Sequence, residues 1–213
     1  MGYEEDLKQK IDECTRQIEE NPNNAEAYYN RGLVYYDLEE YESAVQDYDK
    51  VIELNPNFAE AYANRGNVYY RLEKYDKAIQ NYNKTIEIDP NLAEAYYNRG
   101  IIYDDLEQYE LSIKDFSKAI ALKPNFAEAY RRRGLVYYDL EEYELAVQSY
   151  DKAIELNPNN DEAYIRRGNV YHRLKEYELS LKDYDKALEL KPGDSWAKLF
   201  REICLNTMKK KKN

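Results

Sequence analysis

Nucleophilic and acid–base chemistry have little to work with in this chain. Its 213 residues hold one histidine, His172, and two cysteines, Cys14 and Cys204. No serine or cysteine stands paired with a histidine, no glycine-rich loop offers to cradle phosphate, and no close set of Cys and His could hold a metal. An enzyme is therefore not expected, and no cofactor is called for. The chemistry on offer is recognition. The chain has 25 tyrosines, and it gathers the cations Arg131, Arg132, Arg166, His172 and Arg173 into one stretch although its net charge is −11. Tyrosine supplies rigid contact area at low entropic cost, and asparagine amides can bond a peptide backbone as donor and as acceptor. Guanidinium groups would hold an acidic side chain or a C-terminal carboxylate by charge-assisted hydrogen bonds. The same arginines could instead pair with Glu128 and Glu162.

These residues are positioned by a strict repeat. Prolines fall at Pro22, Pro56, Pro90, Pro124, Pro158 and Pro192, always 34 residues apart, and an Arg-Gly pair keeps step from Arg31-Gly32 to Arg167-Gly168. Units 1 (25–58) and 4 (127–160) are identical at 28 of 34 positions, which points to duplication of a three-repeat block. A fixed period of this length signals an array of supersecondary units rather than one centred core. Within the first unit, Ala27, Tyr28, Tyr35 and Leu38, then Tyr41, Ala44, Val45, Tyr48, Ile52 and Leu54, recur at spacings of three, four and seven, so each unit should form two amphipathic helices. Asn57 with Glu60, and likewise Asn23/Glu26, Asn91/Glu94, Asn125/Glu128 and Asn159/Glu162, resemble a capping box that would start the first helix. Proline stops the second, because it cannot donate the amide hydrogen bond that would continue it. On the first helix, Glu26, Tyr29, Asn30, Leu33, Tyr36 and Asp37 share one stripe.

In the first unit the repeated pattern reads Tyr28, Arg31-Gly32, Tyr35, Ala44, Tyr48, Pro56. The next four units keep that frame, with Ser112 and Ser180 for the alanine and Phe116 for one tyrosine. This resembles the tetratricopeptide repeat family, from Ala25 to Asp194 and without insertion. The resemblance implies an all-α, right-handed α–α superhelix of paired antiparallel helices, in five repeats (25–58, 59–92, 93–126, 127–160 and 161–194). It further implies a protein–protein interaction scaffold whose first-helix stripe lines a concave, peptide-binding surface. The residues on that stripe taken as peptide-binding are Tyr29, Asn30, Tyr36, Asn64, Asn67, Tyr70, Tyr97, Asn98, Arg131, Arg132, Tyr138, Arg166, Asn169 and Arg173, with the arginine-rich end favouring acidic or C-terminal carboxylate groups. The family's chaperone adaptors clamp a C-terminal carboxylate with two lysines, two asparagines and an arginine. Here Asn67, Asn98 and Arg132 match, but Ala63 and Glu128 replace the lysines, so that clamp is broken.

Two departures recur. Arginine stands where the family has leucine, and the Arg31 column is expected to form surface ion pairs or stacking contacts worth at most about 1 kcal/mol each. Glu39, Glu73, Glu107, Glu141 and Lys175 stand where the turn between the helices has glycine. A left-handed residue there would cost roughly 1 kcal/mol without glycine, so a reshaped turn is expected. The tyrosine columns headed by Tyr28, Tyr35, Tyr41 and Tyr48 are assigned to the core.

Outside the five repeats, Leu7, Ile11, Cys14 and Ile18 lie 34 residues before Tyr41, Val45, Tyr48 and Ile52, so residues 4–20 read as the second helix of a half repeat, with Cys14 in the core. Residues 195–208 carry Trp196, Leu199, Phe200, Ile203 and Cys204 at helical spacing and read as a capping helix, followed by a basic tail at 209–213 expected to be frayed. The cysteines lie near opposite ends of the array, so no disulfide is expected. The acidic balance argues against nucleic acid and membrane partners. The acidic start, MGYEEDLKQK, is unlike a signal peptide, and a cytoplasmic location is expected. An exposed apolar face on residues 7–18 would favour an alternative function, an assembly module that self-associates through its terminal helices.

Overall fold

The computed structural model describes residues 2–212, and these form twelve α-helices and no strand. They are α1 (Tyr3–Glu20), α2 (Ala25–Asp37), α3 (Tyr41–Leu54), α4 (Ala59–Arg71), α5 (Tyr75–Ile88), α6 (Ala93–Asp105), α7 (Tyr109–Leu122), α8 (Ala127–Asp139), α9 (Tyr143–Leu156), α10 (Asp161–Arg173), α11 (Tyr177–Leu190) and α12 (Ser195–Lys212). They divide into two compact units between Ile102 and Tyr103. In the first unit α1 packs on α2, α2 on α3, α3 on α4 and α4 on α5; in the second, each helix from α7 to α12 packs on the next. None of the described helices is long and apolar enough to cross a membrane. The last helix runs through the lysines to Lys212, and Asn213, the end of the expected tail, lies outside the described residues.

The pairs α2–α3, α4–α5, α8–α9 and α10–α11 each close on one contact, between a glycine of the first helix and a tyrosine of the second. A methyl group at Gly32, Gly66, Gly134 or Gly168 would lie 2.9, 3.2, 3.0 or 2.7 Å from a ring carbon of Tyr48, Tyr82, Tyr150 or Tyr184. Around it sit small residues with almost no solvent contact, among them Ala27, Ala61, Ala129 and Ala163 on first helices and Ala44, Ala78, Ser112, Ala146 and Ser180 on second helices. Val34, Val68, Val136 and Val170 complete this layer.

Of the four tyrosine columns assigned to the core, only the one headed by Tyr48, with Phe116 in the third unit, is fully buried. The columns headed by Tyr28, Tyr35 and Tyr41 are mostly half-buried, and the reason is the arginine between the first two. Residues three before and four after Arg31 flank it on the helix surface, so Tyr28 and Tyr35 sandwich its guanidinium at 5.6 and 5.8 Å.

The turn between paired helices keeps the left-handed residue instead of being reshaped. Glu39, Glu73, Glu107, Glu141 and Lys175 have φ of 60, 56, 56, 59 and 65°. The Glu40 N–H donates to the Tyr35 carbonyl at 2.8 Å and the Glu39 N–H to the Tyr36 carbonyl at 3.0 Å, and the same two bonds recur in the other four turns. This is a Schellman ending, and the two carbonyls it satisfies hold the backbone in place against the Cβ penalty.

The capping-box expectation is overturned. The first helices start one residue later than it required, with Asn24, Phe58, Phe126 and Asn160 at the N-caps of α2, α4, α8 and α10. Only Asn24 and Asn160 accept a bond, from the Ala27 and Ala163 N–H groups. The residue before the proline organises the loop instead: the side chains of Asn21, Asn55, Asp89 and Asn157 accept from the amide two residues on, at 2.9 to 3.3 Å. These are Asx-turns, which bend the chain across each proline.

Leu7 and Cys14 are buried in the contact of α1 with α2, and Ile11 and Ile18 are half-buried. The exposed apolar face expected on residues 7–18 is therefore absent. Both cysteines are free.

The left-handed turns predict that Glu141→Gly stabilises the protein by about 0.5–1 kcal/mol by removing the Cβ penalty. The gain should be read as a higher denaturant midpoint at unchanged slope, and Glu141→Ala should show none.

Candidate functional site

The arginine column is built into the fold rather than displayed on it. Arg31 grips Asp47 with two bonds of 2.8 Å and donates to Thr15 Oγ1 at 3.0 Å. Arg167 grips Asp183 at 2.8 and 2.7 Å and reaches Asp151 at 2.5 Å. Each such arginine lies on a first helix and ties together the second helices before and after it. Asp47 is 4% exposed and Asp183 3%, so the surface value of about 1 kcal/mol does not apply. Removing one partner of a buried pair costs more than the pair contributes, because it leaves a desolvated charge. The hydrogen bonds it donates to Asp47 hold the Arg31 guanidinium further above its already high range. In unit 4 serine takes the register positions of both carboxylates, Ser117 for Asp151 and Ser149 for Asp183: Arg133 donates to Ser117 at 3.1 Å and leaves its buried Nε without a partner.

On the first structural unit, the stripe brings Tyr29, Asn64, Asn67 and Asn98 together in one string of hydrogen bonds. Asn98 Nδ2 donates to Asn67 Oδ1 at 3.2 Å, Asn67 Nδ2 to Asn64 Oδ1 at 3.3 Å, and Asn64 Nδ2 to the Tyr29 hydroxyl at 2.8 Å. The Tyr82 hydroxyl, rising from the core, also donates to Asn67 Oδ1 at 2.5 Å. The string lines a hollow of about 180 Å³ with Glu60 and Glu94 beside it. These amides are oriented by one another before any ligand arrives, and each keeps one N–H for a partner. Burial pushes the Tyr29 hydroxyl above its usual range, and its ring packs on Phe58 at 4.9 Å and Tyr48 at 6.1 Å. Tyr36 and Tyr70 rest on Tyr41 and Tyr75 at 5.9 and 6.0 Å. Asn30 is exposed, and Tyr97 is half-buried on α6.

On the second structural unit, the candidate cations divide. Arg131 is 7% exposed, bonds Glu128 through Nε at 3.0 Å and meets Glu162 at 2.9 Å. It is a structural ion pair and not a ligand-facing charge, which corrects its assignment to the binding surface. Arg132 stands 3.9 Å from Glu128, and its Nε makes no hydrogen bond. Arg166 touches Glu162 at 3.3 Å, and Arg173 donates to the Tyr143 hydroxyl at 3.0 Å. Asn169 accepts from the Tyr184 hydroxyl at 2.7 Å, and Tyr138 packs on Tyr143 at 5.8 Å. Arg166, Asn169, Arg173 and Tyr138 line a shared hollow of about 310 Å³.

One carboxylate is out of balance here. In the column of Tyr36, Tyr70 and Tyr138 the third unit has Asp104, half-buried near Asp139. Burial, then the Asp139 charge, push its carboxyl up to about 6, against the opposing pull of Arg132.

Residues missed by the stripe lie on α12. The 34-residue register continues past Pro192, so that Trp196, Leu199, Phe200 and Ile203 fall in the columns of Glu162, Ile165, Arg166 and Asn169. Arg201 likewise extends the arginine column, donating to Asp185 at 2.5 Å.

An all-α array of paired helices that presents preorganised amides, tyrosines and guanidinium groups along its first helices is a scaffold for binding other proteins. The chain belongs to the tetratricopeptide repeat family. The family described as TPR repeat matches residues 32–73, 66–106 and 134–175, and those described as tetratricopeptide repeat match 93–126 and 161–194, and 14–46. Similar solved structures include YrrB, a TPR protein described as having an unusual peptide-binding site, with TM-score 0.73 and 28% identity over 89% of this chain and 97% of that one. MamA matches with TM-score 0.71 and 29% identity over 76% of this chain and 94% of that one. PilF of Pseudomonas aeruginosa shares the fold at TM-score 0.77 and 20% identity, over 88% and 86%. No curated protein matches in sequence.

Two predictions follow from these contacts. Asp47→Ala should destabilise the protein by about 3 kcal/mol, while Asp47→Asn, which copies the Asn81 that accepts from Arg65 at 2.9 Å, should cost less than half of that; chemical denaturation reads both. Because the Asp104 carboxyl is raised from 3.8 to about 6, the folded state binds its proton more tightly, so stability falls as pH rises between those values. Asp104→Asn should therefore stabilise the protein by about 1 kcal/mol at pH 7.5 and by nothing below pH 3.5, as melting curves across pH would show.

Proposed function

We propose that this scaffold binds extended peptide segments of a partner protein along its first-helix faces, and that the second structural unit selects segments bearing an acidic side chain or a free C-terminal carboxylate. One observation carries the reading. In a chain of net charge −11, Arg166 and Arg173 line a hollow whose described lining residues include no carboxylate. A carboxylate entering it would meet two guanidinium groups, the Asn169 amide and the Tyr138 hydroxyl, an arrangement suited to charge-assisted bonding. The asparagine string of the first structural unit supports the extended-peptide part of the reading, since backbone amides and carbonyls are what oriented side-chain amides match. The likeness to YrrB, a protein with a peptide-binding site of its own, agrees with it.

A screen against random extended peptides, half with free C-termini and half amidated, tests the proposal. Acidic and free-carboxylate peptides should be enriched, and Arg166→Glu with Arg173→Glu should lose that enrichment by about 100-fold, roughly two charge-assisted contacts. A folded wild-type protein that shows no such enrichment would overturn the reading.

A further inference from the structure

Single leucines are exposed on α7, α9 and α11, at Leu111, Leu145, Leu156 and Leu179, but three large apolar side chains are exposed together on α12: Trp196 at 63%, Leu199 at 45% and Ile203 at 43%. At spacings of three and four they form one stripe of the helix. A helix that only closes an array turns a polar face to water. This one does so with Lys198, Glu202 and Asn206, yet it keeps a separate apolar stripe. That stripe occupies the columns which the preceding helices use for Glu162, Ile165 and Asn169, so the apolar surface continues the cationic face of α10.

The two surfaces meet in space. Phe200 stacks on Trp196 at 5.9 Å and packs on Tyr184 at 6.1 Å. Phe200 and Ile203 form one wall of the hollow whose other wall is Arg166, His172 and Arg173. Phe200 and Trp196 also wall an adjoining hollow of about 570 Å³ with Arg166 and Asn169, and there Asp161, Glu162 and Asp194 stand opposite Lys191, so the acid is assigned to the first hollow and only the apolar group to this one. Arg166 retains its contact with Glu162 at 3.3 Å and Arg173 one with Glu141 at 3.5 Å, and neither acid lines the hollow shared with Ile203. The His172 Nε2, buried and without a hydrogen-bond partner, adds a polar group with unused capacity there. Burial and the neighbouring Arg173 hold that imidazole below its usual range, so it is neutral at pH 7 and can donate one N–H to a carboxylate.

We infer that α12 is part of the recognition surface, and that the segment it receives carries a large apolar side chain next to a carboxylate, the acid held between Arg166 and Arg173 and the apolar group laid on Trp196, Phe200 and Ile203. The inference rests on the peptide-binding reading above and adds the partner's second chemical requirement. Charge complementarity selects this occupant, because the apolar stripe is contiguous with guanidinium groups in an otherwise acidic chain.

Trp196 is the only tryptophan, so its emission reports this face alone. Three peptides serve as probes: one ending in Asp-Asp-Leu-Phe, one ending in Asp-Asp-Gly-Ser, and an amidated one ending in Asn-Asn-Leu-Phe. The first should shift the emission to the blue and bind at least tenfold more tightly than either of the others. Ile203→Ser, at an exposed position, should erase the tenfold advantage over the second peptide without weakening the second peptide itself. Trp196→Ser, followed by calorimetry, should do the same. Equal binding of the two acidic peptides with unmoved emission would overturn the inference while leaving the arginine reading intact; no binding of any peptide would overturn both. A molar mass that rises with concentration, and falls back to one chain in Ile203→Ser, would give the stripe to a second copy and overturn the inference as well.

Discussion

Everything in this molecule depends on how closely two helices can approach, and that is set by a tyrosine ring lying flat on a glycine. With a Cβ at Gly168 the ring of Tyr184 would stand only 2.7 Å away, closer than any real contact, so the glycine fixes the separation and the small residues around it follow. Alanine and serine at zero or near-zero exposure in the adjoining columns leave no room for a larger core. Helix pairs held this close have an interior that cannot hide long side chains by depth. Tyrosine and arginine solve this together, the Arg31 and Arg167 guanidinium groups lying over tyrosine rings and the buried carboxylates of Asp47 and Asp183 meeting the charge.

Much of the fold was legible because the physics that shapes it is local and repeats. Helical spacing and proline positions show two helices per unit. Three features were not legible, each for a definite reason. Asn57 and its counterparts have the right type and offset for a cap, but the Asx-turn at Asn55 uses the same loop and moves the helix start by one residue. The glutamates in the turns look like a replaced glycine and hence a changed turn; only the paired backbone bonds of the Schellman ending reveal that the left-handed conformation is kept. The burial of Arg131 depends on Glu162, one repeat away, and no single-helix pattern reports contacts between repeats.

The candidate site shows the same boundary. Residue types and the stripe on which they lie could be read from periodicity. Which of them remain free for a ligand could not, since Asn64, Asn67 and Asn98 bond one another across successive helices and the arginines divide between the interior and the surface. The role of α12 was within reach, because extending the 34-residue register past Pro192 aligns Trp196 with Glu162.

The serines beside Arg133 carry one more implication. A repeat array behaves as a one-dimensional lattice in which each junction has its own strength. Arg167 is anchored to carboxylates on both sides, at Asp151 and Asp183, whereas Arg133 has one neutral hydroxyl bond and a bare Nε. The rungs of this ladder are therefore unequal, and the weakest in the second structural unit lies inside it, at α8, rather than at its terminal helix. Stretched or warmed, that unit would open first at this interior seam instead of peeling inward from its last helix.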